Sequence, residues 1–207
     1  MTLGASDALA FERCIAGGGV AVFPADTVYG LACDPASAAA VQRLYDLKGR
    51  PPAKPAAVMF FALDAALAAL PELGPRTRAA TEALLPGALT LLLPNPARRY
   101  PLACGPDPDT LGLRVPAPGA LSTVALPVLQ SSANLAGEPD ARSIDAIAPE
   151  LRAAADLVLD GGELPGTPST VLDLRAYEDG GRWTVLRAGA VSREALAGVL
   201  GEGGCVT

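Results

Sequence analysis

Short apolar runs, each closed off within a few residues by glycine, proline or a polar turn, recur along the whole chain and limit what it can fold into. Runs of this kind read as buried strands, and the stretches between them carry apolar residues at helical spacing. Strands are expected over 20–23, 57–61, 89–93, 111–115, 128–130, 157–159, 170–174 and 184–186. A first helix opens near Ser6, which can cap it, and stops at the glycines of 17–19. Ser37 caps a second helix with the stripe Ala40, Val41, Leu44, Tyr45 and Leu47. It delivers Lys48 and Arg50 at its C-terminal end, where cations favour the helix dipole, before Pro51 and Pro52 stop it. Further helices are expected over 63–70, 77–85, 120–125 (short), 144–155 and 192–200, the last capped by Ser192. This alternation predicts an α/β fold, a twisted mixed β-sheet flanked by helices, whose strand order the pattern does not contain. The 207 residues suffice for one domain with a real core, and the 22 glycines and 20 prolines are spread out as turns.

Composition removes several kinds of chemistry. Histidine is absent, which excludes Ser-His-Asp and Cys-His pairs and any histidine-ligated zinc or haem. Cys14, Cys33, Cys104 and Cys205 are far apart with no C-x-x-C pair, and read as free thiols in a reducing compartment. The first residues lack a basic stretch leading into an apolar one, and no apolar run reaches the length of a membrane span, so a soluble cytoplasmic protein is expected. A formal charge of −6 disfavours a general nucleic-acid binder. Yet the only two lysines, Lys48 and Lys54, lie with Arg50 in the stretch KGRPPAK, which points to a small anionic ligand; a solvated surface loop is the plain alternative. The glycines of 17–19 are read as a helix stop, because a Walker A loop ends in Gly-Lys-Ser/Thr and Val20 follows here.

Polar clusters fall at the ends of the expected strands, the usual place for ligands in open α/β sheets. Asp26, Thr27 and Tyr29 lie in a segment read as a turn bent by Pro24 and Gly30. Lys48, Arg50 and Lys54, stiffened by prolines, can clamp a triphosphate, the arginine as a bidentate fork. Ser131, Ser132 and Asn134 follow a strand and offer donors to phosphate or ribose, or simply cap a helix. Thr110 and Arg114 share one face of one strand, Ser169 and Thr170 lead into another, and Arg187 ends a third. Several cations and hydroxyls with no nucleophile–base pair suit a reaction done by positioning and phosphate charge neutralisation, such as nucleotidyl transfer.

The segments PADTVYGLACDP, YDLKGRPPAKP, LPGALTLLLP, TLGLRVP, SSANLAGEP, PSTVLDL and VLRAGAV stand in the order found in the YrdC/TsaC family, which the chain resembles from about 19 to 190. The resemblance implies a single YrdC-like domain over 1–207 with a cationic ligand cleft and a short C-terminal helix over 192–200. It implies synthesis of threonylcarbamoyl-AMP and pyrophosphate from ATP, L-threonine and bicarbonate, for threonylcarbamoyladenosine in transfer RNA. ATP is then a substrate with magnesium on its phosphates, with no metal ligands assigned on the protein and no tightly bound cofactor. By motif, Lys48 and Arg50 would be catalytic, and Lys48, Arg50, Lys54, Thr110, Ser132, Asn134 and Arg187 would hold ATP. Arg114 would meet the threonine carboxylate, with Thr27 and Thr170 near the amino acid. Proteins that transfer threonylcarbamoyl to transfer RNA are implied partners, with direct RNA binding weak or absent and no membrane. Ala25, Met59 and Gln130 depart from residues common in the family, all on the amino-acid side. Two other readings stay open: a paralogue that hydrolyses nucleotide or uses another carbamoyl acceptor, and a non-enzymatic RNA-binding module.

Overall fold

The computed structural model describes residues 3–206. In chain order the elements are α1 (Ala5–Ala16), β1 (Ala21–Pro24), β2 (Tyr29–Cys33), α2 (Ala38–Lys48), β3 (Ala57–Met59), α3 (Leu63–Ala69), α4 (Pro75–Leu84), β4 (Leu89–Pro94), α5 (Pro101–Cys104) and β5 (Thr110–Arg114). Then follow β6 (Val128–Ser132), a 3-10 turn (Ile144–Ala146), α6 (Pro149–Ala154), β7 (Leu157–Val158), β8 (Thr170–Asp173), α7 (Tyr177–Gly180), β9 (Trp183–Arg187), α8 (Arg193–Leu200) and β10 (Gly204–Val206). All ten strands join one sheet in the order β10-β9-β8-β4-β5-β3-β6-β2-β1-β7. Its pairings are mixed: β3–β5 and β4–β8 run parallel, while β3–β6, β2–β6 and β4–β5 run antiparallel.

The period-2 pattern of the strands decides which face is core. Leu89, Leu91 and Leu93 of β4, Leu111 and Leu113 of β5, and Leu129 of β6 point into the main core, which α2 to α8 cover. On the opposite face α1 and the segment 116–127 cover one end, packing Phe11, Phe23, Phe61 and Met59 together. Beyond that cluster the face carries Ala57, Gly112, Arg114 and Gln130, in register across β3, β5 and β6.

Several expectations are corrected. Ser6 does not cap α1: Gly4 holds that position, and the Asp7 carboxylate accepts from the Gly4 N–H at 2.8 Å. Only 25–28 of the first polar segment is a turn, and Tyr29–Cys33 forms β2, buried along its whole length. The segment 120–125 makes turns instead of a helix, and 144–155 splits because Pro149 restarts the chain as α6. α5, α7 and β10 were not anticipated. Ser37 and Ser192 cap as expected, accepting from the N–H groups of Ala40 and Ala195. Cys14, Cys33 and Cys104 are free thiols, and the Cys205 side chain lies outside the described residues. Among the described residues no helix is long and apolar enough to cross a membrane.

Candidate functional site

Helix α2 ends where its last residue is needed. Gly49, at φ 59°, turns the chain in the left-handed region, and Lys48 is driven inward until it is 3 % exposed. Its Nζ donates to Ser132 O at 2.5 Å, Asn134 O at 2.7 Å and Asn134 Oδ1 at 2.8 Å. All three acceptors are neutral, so the ammonium is hydrogen-bonded but its charge is not balanced by a contacting carboxylate. Burial pushes its pKa down to about 8, helped by the nearby Arg50 and Lys54 charges and opposed by Asp140. Arg50 lies over the Tyr45 ring, 5.6 Å from its centre, and donates to Ser131 Oγ at 3.3 Å and to the carbonyls of Lys54 and Pro55. The guanidinium thereby ties the proline-rich loop to the end of β6, and burial lowers its pKa. Lys54 is exposed on the same loop.

A second buried cation closes another part of the space. Arg114, 4 % exposed at the end of β5, donates to Gln130 Oε1 at 2.9 Å and to Ala25 O at 3.1 Å. Its Nε has no hydrogen-bond partner among the described residues. Again both partners are neutral. Burial pushes its pKa down to about 10, against the pull of Asp26 and with Arg187 adding to the fall. The Thr27 N–H also donates to Ala25 O, at 3.0 Å, across Asp26 at φ 75°, which makes Asp26 the centre of a γ-turn of the strained kind. Thr27 Oγ1 and Asp26 Oδ2 are buried without partners among the described residues, like Arg114 Nε. Unpaired buried groups each cost on the order of 1–3 kcal/mol, and two of the three, on Thr27 and Arg114, belong to residues that line one cleft.

The third wall comes from β8 and β9. Arg187 donates to Ser169 O at 2.7 Å and to Ser169 Oγ at 3.2 Å, and Ser169 Oγ lies 2.9 Å from Thr90 Oγ1. These groups surround one cleft of about 380 Å³ that takes in Lys48, Arg50, Lys54, Arg114 and Arg187. Five cations meet there in a chain whose net charge is −6.

The structure therefore brings together Thr27, Lys48, Arg50, Lys54, Arg114, Ser132, Asn134 and Arg187. It does not bring Thr110 or Thr170 to the cleft wall. Thr110 lies at the other end of β5, with its hydroxyl on Asp107 at 2.7 Å and beside Arg175 at 3.3 Å. Thr170 is buried and its Oγ1 bridges the carbonyl and the N–H of Val191 at 2.8 and 3.0 Å, holding the segment after β9. Its neighbour Ser169 faces the cleft instead, as alternate strand residues must. Sequence reasoning passed over Thr90 and gave Gln130 no role; the polar residue inside LTLLL was the available signal for the first.

Comparison with known proteins gives a consistent picture. A model of the Sua5/YciO/YrdC family, described as telomere recombination, matches residues 13–189. The threonylcarbamoyl-AMP synthase of Xanthomonas euvesicatoria is 36 % identical over 182 residues, which is 83 % of this chain and 96 % of that protein. Sua5 of P. abyssi, solved in complex with L-threonine, superposes with a TM-score of 0.84 at 28 % identity over 100 % of this chain, which spans 61 % of that protein. E. coli YciO superposes with a TM-score of 0.75 at 25 % identity, covering 93 % of each chain.

Proposed function

Because the chain belongs to the Sua5/YciO/YrdC family, we propose that it is a threonylcarbamoyl-AMP synthase acting on ATP, as its magnesium complex, L-threonine and bicarbonate. The observation that carries this reading is the pair of buried cations, Lys48 and Arg114, each held by neutral oxygens at separate points of one cleft. Burying an uncompensated charge is costly, and an anionic ligand repays the cost at each point. A polyphosphate suits the Lys48, Arg50 and Lys54 side, and a single carboxylate suits Arg114.

In this reading the ammonium group of threonine combines with bicarbonate to give a carbamate, releasing water and a proton. A carbamate oxygen then bonds to the α-phosphorus while the bond from that phosphorus to the bridging oxygen breaks, and pyrophosphate leaves with the electron pair. The carbamate is itself the nucleophile, so the step asks the protein for alignment and charge, not for a histidine or cysteine. Arg50 and Lys54 face the phosphates; Lys48 adds its charge and anchors the turn Ser132–Asn134 that borders the nucleotide; Arg187 and Ser169 form the far wall. Thr27 stands beside Arg114 at the amino-acid end. Proteins that transfer the product to transfer RNA are the expected consumers of the adenylate.

Pyrophosphate release by the purified protein with ATP, magnesium and bicarbonate is expected to require L-threonine, with serine much poorer. Turnover indifferent to threonine would instead favour an enzyme with another acceptor, a reading motivated by Gln130 and Met59 beside Arg114.

Lys48 also predicts a pH dependence. The chain has no histidine, and burial pushes the thiols of Cys14, Cys104 and Cys33 up, the last to about 12. Lys48 binds its proton less tightly in the folded protein than when unfolded, and a bound polyphosphate favours the protonated form. ATP affinity is therefore expected to hold below pH of about 8 and to weaken as pH rises through that value, approaching tenfold per unit. Calorimetric titrations across this range check it, and a dissociation constant still flat a full unit higher removes the charge of Lys48 from ATP binding.

A further inference from the structure

Gln130 occupies a socket that several small residues leave for it. It lies in β6, in register with Ala32 of β2 and Ala57 of β3, so neither neighbouring strand presents a bulky side chain beside it. The bare Gly30 leaves room for the amide: a Cβ there would lie 2.8 Å from Gln130 Nε2 and 3.0 Å from the Cβ of Ala25. The amide is 5 % exposed and reaches the cleft. Its orientation is dictated by its partner, because a guanidinium only donates and the amide oxygen must face Arg114. The amide N–H groups are then directed away from that bond and make no hydrogen bond among the described residues.

A carboxylate in this position would also have bound Arg114, and more strongly. It would have spent the charge of Arg114 inside the protein. A neutral amide fixes the same nitrogen and, because the one carboxylate that pulls on Arg114, that of Asp26, makes no hydrogen bond or ion pair with it, leaves the guanidinium charge to a ligand.

We propose that Gln130 is a positioning and specificity-determining residue: its amide oxygen fixes the Arg114 guanidinium without neutralising it, which reserves that charge for the carboxylate of the amino-acid substrate. This rests on the proposed two-substrate reaction, but it requires only that the acceptor carry a carboxylate, whether or not it is threonine.

The test is Gln130→Glu, close in shape and opposite in electrostatic effect, set beside Gln130→Met, which keeps bulk and removes the bond. Pyrophosphate release is followed against a panel of amino acids to find the acceptor the wild-type protein uses, and KM values for that acceptor and for ATP are measured with each variant's thermal midpoint. Gln130→Glu is expected to melt higher than wild type while its acceptor KM rises about 100-fold or more and its ATP KM stays within about threefold, since the internal carboxylate competes for Arg114. Gln130→Met is expected to raise the acceptor KM about tenfold with no gain in stability. A merely structural glutamine would move stability and both KM values in the same direction. The proposal is overturned by an unchanged acceptor KM in Gln130→Glu, by equal losses for acceptor and ATP, or by a wild-type enzyme whose acceptor lacks a carboxylate or is dispensable. In the last case the two-substrate reading fails with it, and the wild-type assay alone reveals that.

Discussion

Arg114→Met is expected to fold with a thermal midpoint within a few degrees of wild type and to lose saturation by the amino acid almost completely. The two halves of this result have one cause. In the free protein Arg114 is buried with Gln130 Oε1 and Ala25 O as its hydrogen-bond partners, so its charge is a burden that methionine, of similar length, does not carry. Ala25 O keeps its bond from the Thr27 N–H and the Gln130 amide can turn towards the cleft, so the main group left worse off is the Asp26 carboxylate, which loses a nearby charge but no hydrogen bond. A net change of about 1 kcal/mol moves the midpoint by roughly 2–4 °C in a protein of this size. With substrate bound the balance reverses. Removing one partner of a buried charge pair costs about 2–5 kcal/mol, or roughly 30-fold to several thousand-fold in kcat/KM for the amino acid. ATP affinity is expected to change only a few-fold. Steady-state kinetics with each substrate varied in turn, beside a thermal melt, read all three quantities. An unaltered KM for the amino acid would take Arg114 out of the acceptor site. Gln130→Met should add almost nothing to the acceptor KM in the Arg114→Met background, because both changes act through one guanidinium.

The fold and the site were legible to different depths, for reasons that particular residues make plain. Strands such as Leu89–Pro94 declare themselves because a short apolar run closed by proline suits a strand largely covered on both sides. Tyr29–Cys33 did not: it is buried on both faces, made partly of small residues, and follows a four-residue turn, so its sequence reads as more turn. Strand order depends on pairings far apart in the chain, such as β4 with β8, and no local pattern records them. The cationic loop and the Ser132–Asn134 turn were legible because charge and hydroxyls concentrate at element ends. Thr110 lies away from the wall that Arg114 lines because strand parity gives a face but not a reach: four residues at about 3.3 Å each set it roughly 13 Å from Arg114. Thr170 is buried while its neighbour Ser169 lines the cleft, since in a strand a single residue is the difference between core and cleft. Least legible was the neutrality of the partners around Lys48 and Arg114, since it arises only where separate segments meet.

Arg50→Ala is expected to weaken ATP binding about 100-fold while the protein stays folded. The guanidinium does two jobs that alanine does neither of. It presents a planar fork towards the cleft, and it holds the proline-rich loop through the carbonyls of Lys54 and Pro55 and the hydroxyl of Ser131, braced on Tyr45. Without it Lys54 loses its placement as well, so two cations are removed from the phosphates by one substitution. A charge-assisted hydrogen bond contributes about 1.5–3 kcal/mol, and one such loss together with a weakened second charge accounts for the expected factor. The fold is spared because the loop is exposed and α2 keeps its own cap, stripe and Lys48 anchor. Arg50→Lys separates the two jobs: it returns the charge but cannot reach two carbonyls and a hydroxyl at once, so it should recover no more than about tenfold. Equilibrium titration of ATP into each variant, with a melt to confirm folding, makes the measurement. Wild-type affinity in Arg50→Ala would move the triphosphate away from this loop, and full recovery in Arg50→Lys would reduce the arginine to a point charge.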